Sequence, residues 1–159
     1  MQNNREITVL GLGNIVFSDE GFGVEAVQLM RKTNEFPPAV EIVDGGTQGI
    51  YLLHYIEYSN RLLIFDALIP TDYELKVYTY QDSELPAFIH RKLSSHQIGL
   101  SDLLSLSRLH DRMPEKIVLI GVPPQKLNMN ISLSPEIQAL LPQAVEAGVQ
   151  FINQWVKEI

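Results

Sequence analysis

The chain has 159 residues, 45% hydrophobic and 19% charged, a balance that suits one globular domain spanning residues 1–159 with a single core. Twelve basic residues against nineteen acidic ones leave a formal charge of −7 with no basic run, which argues against nucleic acid as a partner, because affinity there depends on neutralising phosphates. The absence of cysteine excludes disulfides, cysteine-ligated metal centres and a cysteine nucleophile; with no signal-like N-terminus and no apolar run near ~20 residues, the expectation is a cytoplasmic protein without membrane insertion.

In chain order, "EITVLGLG" (Glu6–Gly13) reads as a short buried strand ended by glycines. "GFGVEAVQLMRK" has helical apolar spacing at Val24, Val27 and Met30, with Ser18 or Asp19 as the expected N-cap and Arg31 and Lys32 answering the dipole in the last turn. "AVEIVDGG" (Ala39–Gly46) is a second strand, "GIYLLHYIEYS" a helix, and "RLLIFDALI" (Arg61–Ile69) a third strand, apolar on both faces. "ELKVYTYQ" (Glu74–Gln81) alternates like an edge strand with one wet face. "SDLLSLSRLH" (Ser101–His110) predicts a short helix opened by a Ser-Asp cap, and "KIVLIGV" (Lys116–Val122) a fifth strand. "SPEIQALL" sets a serine cap before a proline at the first helical position, and the helix continues or restarts at Pro142 with Val145, Val149, Ile152 and Val156 on its buried face.

Strands alternating with helices predict an α/β fold: a three-layer α/β/α sandwich around a mostly parallel five-stranded sheet with one antiparallel edge strand. Ligands in such sheets bind outside the carboxyl ends of the strands. Here those ends are "GLGN", Asp44-Gly45-Gly46, Asp66 and "GVPP".

Three chemistries compete for the carboxylates there. Gly11-x-Gly13 after a strand, with Asp44 ending the next, suggests a dinucleotide site, but the third glycine of that fingerprint falls on Val16. Asp19 and Glu20 would also face a pyrophosphate with like charge, at roughly 4 kcal/mol per contact for ~4 Å and an effective dielectric of about 20. A structural reading makes Asp19 and Glu20 helix-start residues, Asp66 a cap for a turn and His96 an ordinary loop histidine. The third reading joins Glu20, Asp66 and His96 as a mixed oxygen and nitrogen set suited to a borderline divalent ion such as zinc or nickel. Spacing alone leaves their convergence open. No "GxSxG" elbow is present, and Ser94 and Ser95 adjoin His96 in sequence, which is not how triad partners usually meet.

"GLGNIVFSDEGFGV", "VEIVDGGTQG", "LLIFDA", "SSHQIGLSDLL" and "IGVPP", five blocks in order, resemble the hydrogenase maturation endopeptidases, over about residues 5 to 156. The resemblance implies a protease that removes a C-terminal extension from the large-subunit precursor of a nickel-iron hydrogenase after nickel insertion. It implies Glu20, Asp66 and His96 as metal ligands and catalytic-site residues, with the nickel carried by the substrate and other divalent metals able to occupy the site. It also implies Asp44, Gly45, Gly46 and Thr47 in substrate handling. The alternatives are a non-catalytic binding module for the metallated precursor and, further off, a nucleotide-binding protein.

Overall fold

Apolar β-branched residues run through β1 (Arg5–Leu12), and their alternation sends side chains to two covered faces. The computed structural model describes residues 5–70, 72–87 and 99–159. β1 is followed by α1 (Phe22–Thr33), β2 (Val40–Gly46), α2 (Leu53–Glu57), β3 (Ser59–Ala67), β4 (Tyr78–Gln81), α3 (Leu100–Leu109), β5 (Lys116–Val122) and α4 (Pro135–Glu158). Short 3-10 turns occupy Ser18–Gly21, Gly49–Leu52 and Asp82–Ala87.

The five strands form one sheet in the order β2-β1-β3-β5-β4, with β1–β2, β1–β3 and β3–β5 parallel and β4 antiparallel to β5. The sandwich and its antiparallel edge are therefore as expected from the sequence. On one face Ile7, Val9, Leu63 and Phe65 pack with Phe22, Val27 and Met30 of α1 and Ile137, Leu141 and Trp155 of α4. On the other, Leu10, Leu62, Ile64 and Leu119 pack with Ile56 of α2 and Leu103 and Leu104 of α3. The chain leaves β1 for β2 on one side and returns to β3 on the other, so the crevice at the carboxyl ends of β1 and β3 is the switch point of the sheet.

Several boundaries differ from the sequence reading, each for a local reason. The edge strand is only Tyr78–Gln81. Before it the chain folds back: the Tyr78 hydroxyl accepts the Glu74 N–H at 2.8 Å and donates to Asp72 Oδ1 at 2.7 Å, Lys76 pairs with Asp72 and Glu74, and Tyr73 has φ +49°. The predicted helix at "GIYLLHYIEYS" is a 3-10 turn running into α2, which stops at Glu57 because β3 already starts at Ser59. α3 starts one residue early, at Leu100, and Asp102 reaches back to accept the Gly99 N–H at 3.1 Å. α4 passes through Pro142 without restarting. Pro142 and Gln138 both lie on the exposed side, so the carbonyl that loses its partner can bond to solvent. Val145 and Ile152 are buried as expected, while Val149 and Val156 are only half-buried and Trp155 completes the buried stripe.

Candidate active site

The segment between β1 and α1 is built by crowding. Gly13 has φ +133°, and a Cβ there would lie 1.8 Å from the Glu20 carbonyl oxygen, so only glycine lets the turn fold back onto residue 20. Gly23, in the first turn of α1, sits where a Cβ would come within 2.2 Å of the carbonyl oxygens of both Leu12 and Phe65. Those two carbonyls belong to the carboxyl ends of β1 and β3, so the missing side chain is what brings α1 down onto the switch point. Gly23→Ala must push the helix off the sheet; a loss on the order of 3 kcal/mol is expected in chemical denaturation, and an unchanged midpoint would contradict this packing.

Glu20 lies in the 3-10 turn Ser18–Gly21, which packs against β3. Its side chain is almost fully buried, and burial raises its pKa above the ordinary carboxylate value. Asp66 is the second-last residue of β3, half-buried beside Ala67. Burial pushes its carboxyl up to about 7; the Ala67 backbone N–H offsets part of the effect, and the negative charge of Glu20 adds to it. The turn of Glu20 thus lies against β3, the strand that Asp66 ends, near enough for the charge of Glu20 to act on Asp66. Neither draws stabilisation from a Lys or Arg among the described residues. His96 lies outside the described residues, and no group of three His, Cys, Asp or Glu side chains among the described residues can hold a metal.

Asp44, Gly45 and Gly46 close β2 and Thr47 follows in the open. Gly11 of β1 is the register partner of both Asp44 in β2 and Phe65 in β3, so Asp44 stands two strands from the Phe65–Asp66 position, about 10 Å by strand spacing. Asp44 Oδ2 accepts from Gln28 Nε2 at 3.3 Å, and the Gly13 N–H donates to the Gly46 carbonyl at 3.0 Å. The "DGGT" segment therefore flanks the carboxylate pair along the same sheet edge without joining it.

Asp19 departs from the helix-start role read from the sequence. The N-cap of α1 is Gly21, with no side-chain cap hydrogen bond. Asp19 is instead fully buried and accepts four hydrogen bonds: from the backbone N–H groups of Gln125, Lys126 and Ser134 and from the Ser134 hydroxyl, at 2.6–2.9 Å. Ser134 is also the N-cap of α4, where its oxygen accepts the Ile137 N–H. One carboxylate thus ties the turn carrying Glu20 to the connection between β5 and α4. The only local signal was the serine cap of α4, which says nothing of its distant partner.

The sequence model of the HycI family, described as hydrogenase maturation protease, matches residues 24–151. The chain belongs to the hydrogenase maturation protease family. The hydrogenase 2 maturation protease of Escherichia coli (strain K12) is 38% identical over 141 residues, which cover 88% of this chain and 86% of that protein. The hydrogenase expression/formation protein HoxM of Cupriavidus necator is 38% identical over 154 residues, covering 94% of this chain and 75% of that protein. The solved structure of the hydrogenase maturating endopeptidase HYBD from E. coli superposes with a TM-score of 0.86 at 36% identity, covering 94% of this chain and 93% of that one. As a hydrogenase maturation protease the protein is a peptidase, in place of the non-catalytic module or nucleotide-binding protein that the sequence left open. The span matched by the maturation-protease family takes in Asp44, Asp66 and His96, with Glu20 just ahead of it.

Proposed function

We propose that the protein removes the C-terminal extension of a nickel-iron hydrogenase large-subunit precursor after nickel insertion, and that it reads the inserted nickel through Glu20, Asp66 and His96. The observation that carries this reading is the placement of Glu20, in the turn packed on β3, and Asp66, at the end of β3, at the switch point of the sheet. A buried Glu20 and a half-buried Asp66, both disfavoured as anions by burial and Asp66 further by the charge of Glu20, with no Lys or Arg to relieve it among the described residues, form an environment that a divalent cation would stabilise. Oxygen donors joined by one imidazole suit nickel or zinc.

The nickel belongs to the substrate. Held by the precursor's own ligands, it takes its remaining coordination from this chain, so a precursor without metal lacks the bond that seats it. The shared ion places the scissile peptide beside Glu20 and Asp66 and polarises its carbonyl for attack by water. The half-buried Asp44 and Gly46 and the exposed Thr47 offer backbone groups at the sheet edge to the extended peptide leading to the cut.

The test offers nickel-loaded and nickel-free precursor to the purified protein and follows truncation by mass spectrometry. Cleavage of the loaded form alone is expected. Equal cleavage of both would remove nickel reading, and cleavage of neither would remove the assignment of this substrate.

A further inference from the structure

Two segments beside the carboxylate pair expose apolar side chains that the catalytic reading does not use. Ile15 and Val16 precede the 3-10 turn; Leu127, Met129 and Ile131 lie between β5 and α4, with Met129 78% and Ile131 77% exposed. The segments meet at a parallel bridge between Phe17 and Asn130. The Asn130 N–H donates to the Val16 carbonyl at 2.9 Å, the Ser18 N–H donates to the Asn130 carbonyl at 2.7 Å, and the Ser18 hydroxyl donates to the Ser132 carbonyl at 2.9 Å. The two segments therefore form one ridge. Residues 14–18 and 127–135 contain no charged side chain, in a chain of net charge −7.

We infer that this ridge of Ile15, Val16, Leu127, Met129 and Ile131 is the docking surface for the folded body of the hydrogenase precursor, through an apolar, uncharged patch next to the precursor's cleavage point. The inference rests on the proposed processing reaction and adds to it the surface that selects the substrate. Three features support this occupant. The ridge is continuous with the site: Ser18 bonds to it, Asp19 locks it from below, and Glu20 is the next residue. It is pre-ordered by backbone and buried side-chain bonds, so docking loses little conformational entropy. Its composition, methionine and aliphatics without charge, is that of an interface core, and exposed patches of this kind mark partner sites. A second copy of this chain is the poorer occupant. A two-fold contact through the ridge would set two carboxylate sites of net-negative chains against each other.

The experiment compares wild type with a variant carrying both Met129→Ser and Ile131→Ser. Leu109→Ser serves as control: Leu109 is 79% exposed at the end of α3, which leads into the start of β5, at the amino end of the parallel strands and so opposite the carboxyl ends beside the ridge. Affinity for nickel-loaded precursor, kcat and KM for truncation, thermal midpoint and sedimentation mass are measured for each. The expected result is a loss of about 10-fold or more in affinity and kcat/KM, carried mainly by KM. The variant keeps the wild-type midpoint, and the control keeps wild-type affinity. Truncation by wild type with an unaffected ridge variant overturns the inference and leaves the processing reaction standing. A wild-type dimer that the ridge variant makes monomeric, with precursor binding intact, overturns it in favour of a contact between copies. Failure of wild type to bind or cut the precursor overturns the processing reaction, and the inference with it.

Discussion

Asp66→Asn is expected to melt at a higher temperature than wild type at pH 8 and to process no precursor. The folded Asp66 carboxyl titrates near 7, against about 3.9 in an unfolded chain. The folded state therefore holds a proton that the unfolded state has given up, across the whole interval between those values. With a folded pKa above the unfolded one, stability is fully present below pH ~4, falls as pH rises through the interval, and is at its lower plateau above pH ~7. Three units correspond to roughly 4 kcal/mol, and the half-buried position reduces this to roughly 2 to 4. An asparagine cannot ionise, so it escapes the penalty, and for a chain of this length the gain amounts to several degrees. The two proteins should converge in stability at pH 4 and separate most above pH 7. On the proposed nickel reading, processing is lost because the amide offers a much weaker ligand to the substrate's nickel. A variant that still truncates the precursor would remove Asp66 from the ligand set, and equal melting at all pH values would contradict the buried, repelled carboxylate.

The second large effect is on the bracket. Asp19→Ala leaves three backbone N–H groups and the Ser134 hydroxyl facing the space of the deleted carboxylate, in a buried position. Each unsatisfied donor costs about 1–3 kcal/mol, and water entering the gap relieves some of it, so a total loss of about 3 to 5 kcal/mol is expected. Asp19→Asn keeps one acceptor oxygen but turns an NH2 toward donors, and should fall between the two. Guanidinium denaturation checks both. A loss under about 1 kcal/mol for the alanine variant would mean that the connection from β5 to α4 is held by other contacts. The sign is opposite to that of Asp66→Asn: two acidic residues at the same edge of the sheet, one restraining the fold and the other straining it.

The difference between these carboxylates marks how far the sequence could be read. Strands such as "LLIFD" and "KIVLIGV" were legible because a strand buried on both faces needs a continuous apolar run, and nothing else in the chain competes with that pattern. Asp66 was legible for a related reason: a carboxylate ending such a run stands out against its apolar neighbours, and the topology rule says where that end points. The helix at Phe22–Thr33 announced itself by spacing, but its cap did not, because Asp19 next to a helix start looks like a local cap whether or not it is one. Its true partners are over 100 residues away. The edge strand failed differently. "ELKVYTYQ" alternates correctly, but the Tyr78 hydroxyl and the Asp72, Glu74 and Lys76 charges hold the first half in a turn. Alternation records compatibility with a strand, not the side-chain bonds that outcompete it. At the site, the tight glycines at 13 and 23, legible as turn and packing residues, set the turn of Glu20 and the start of α1 against β3, the strand that Asp66 ends. His96 and the block around it fall outside the described residues.

The reach of the Asp19 bracket also bears on when this protein acquires its site. Four of the five strands pair in the order 2-1-3-5, and the first three are in place once about 67 residues have been made. The turn carrying Glu20 can pack on β3 at that stage but lacks the Asp19 bonds to the connection between β5 and α4. Gln125, Lys126 and Ser134 emerge late, and α4, which covers the face already holding α1, is the last element of the chain. Contacts of such sequence separation form slowly, because the loop must close before the bond is gained. The early sheet can therefore assemble while the Asp19 bracket is still unmade. A nascent chain of this protein carries Glu20 and Asp66 early, but the turn of Glu20 gains its Asp19 bracket only when residues 125–134 arrive.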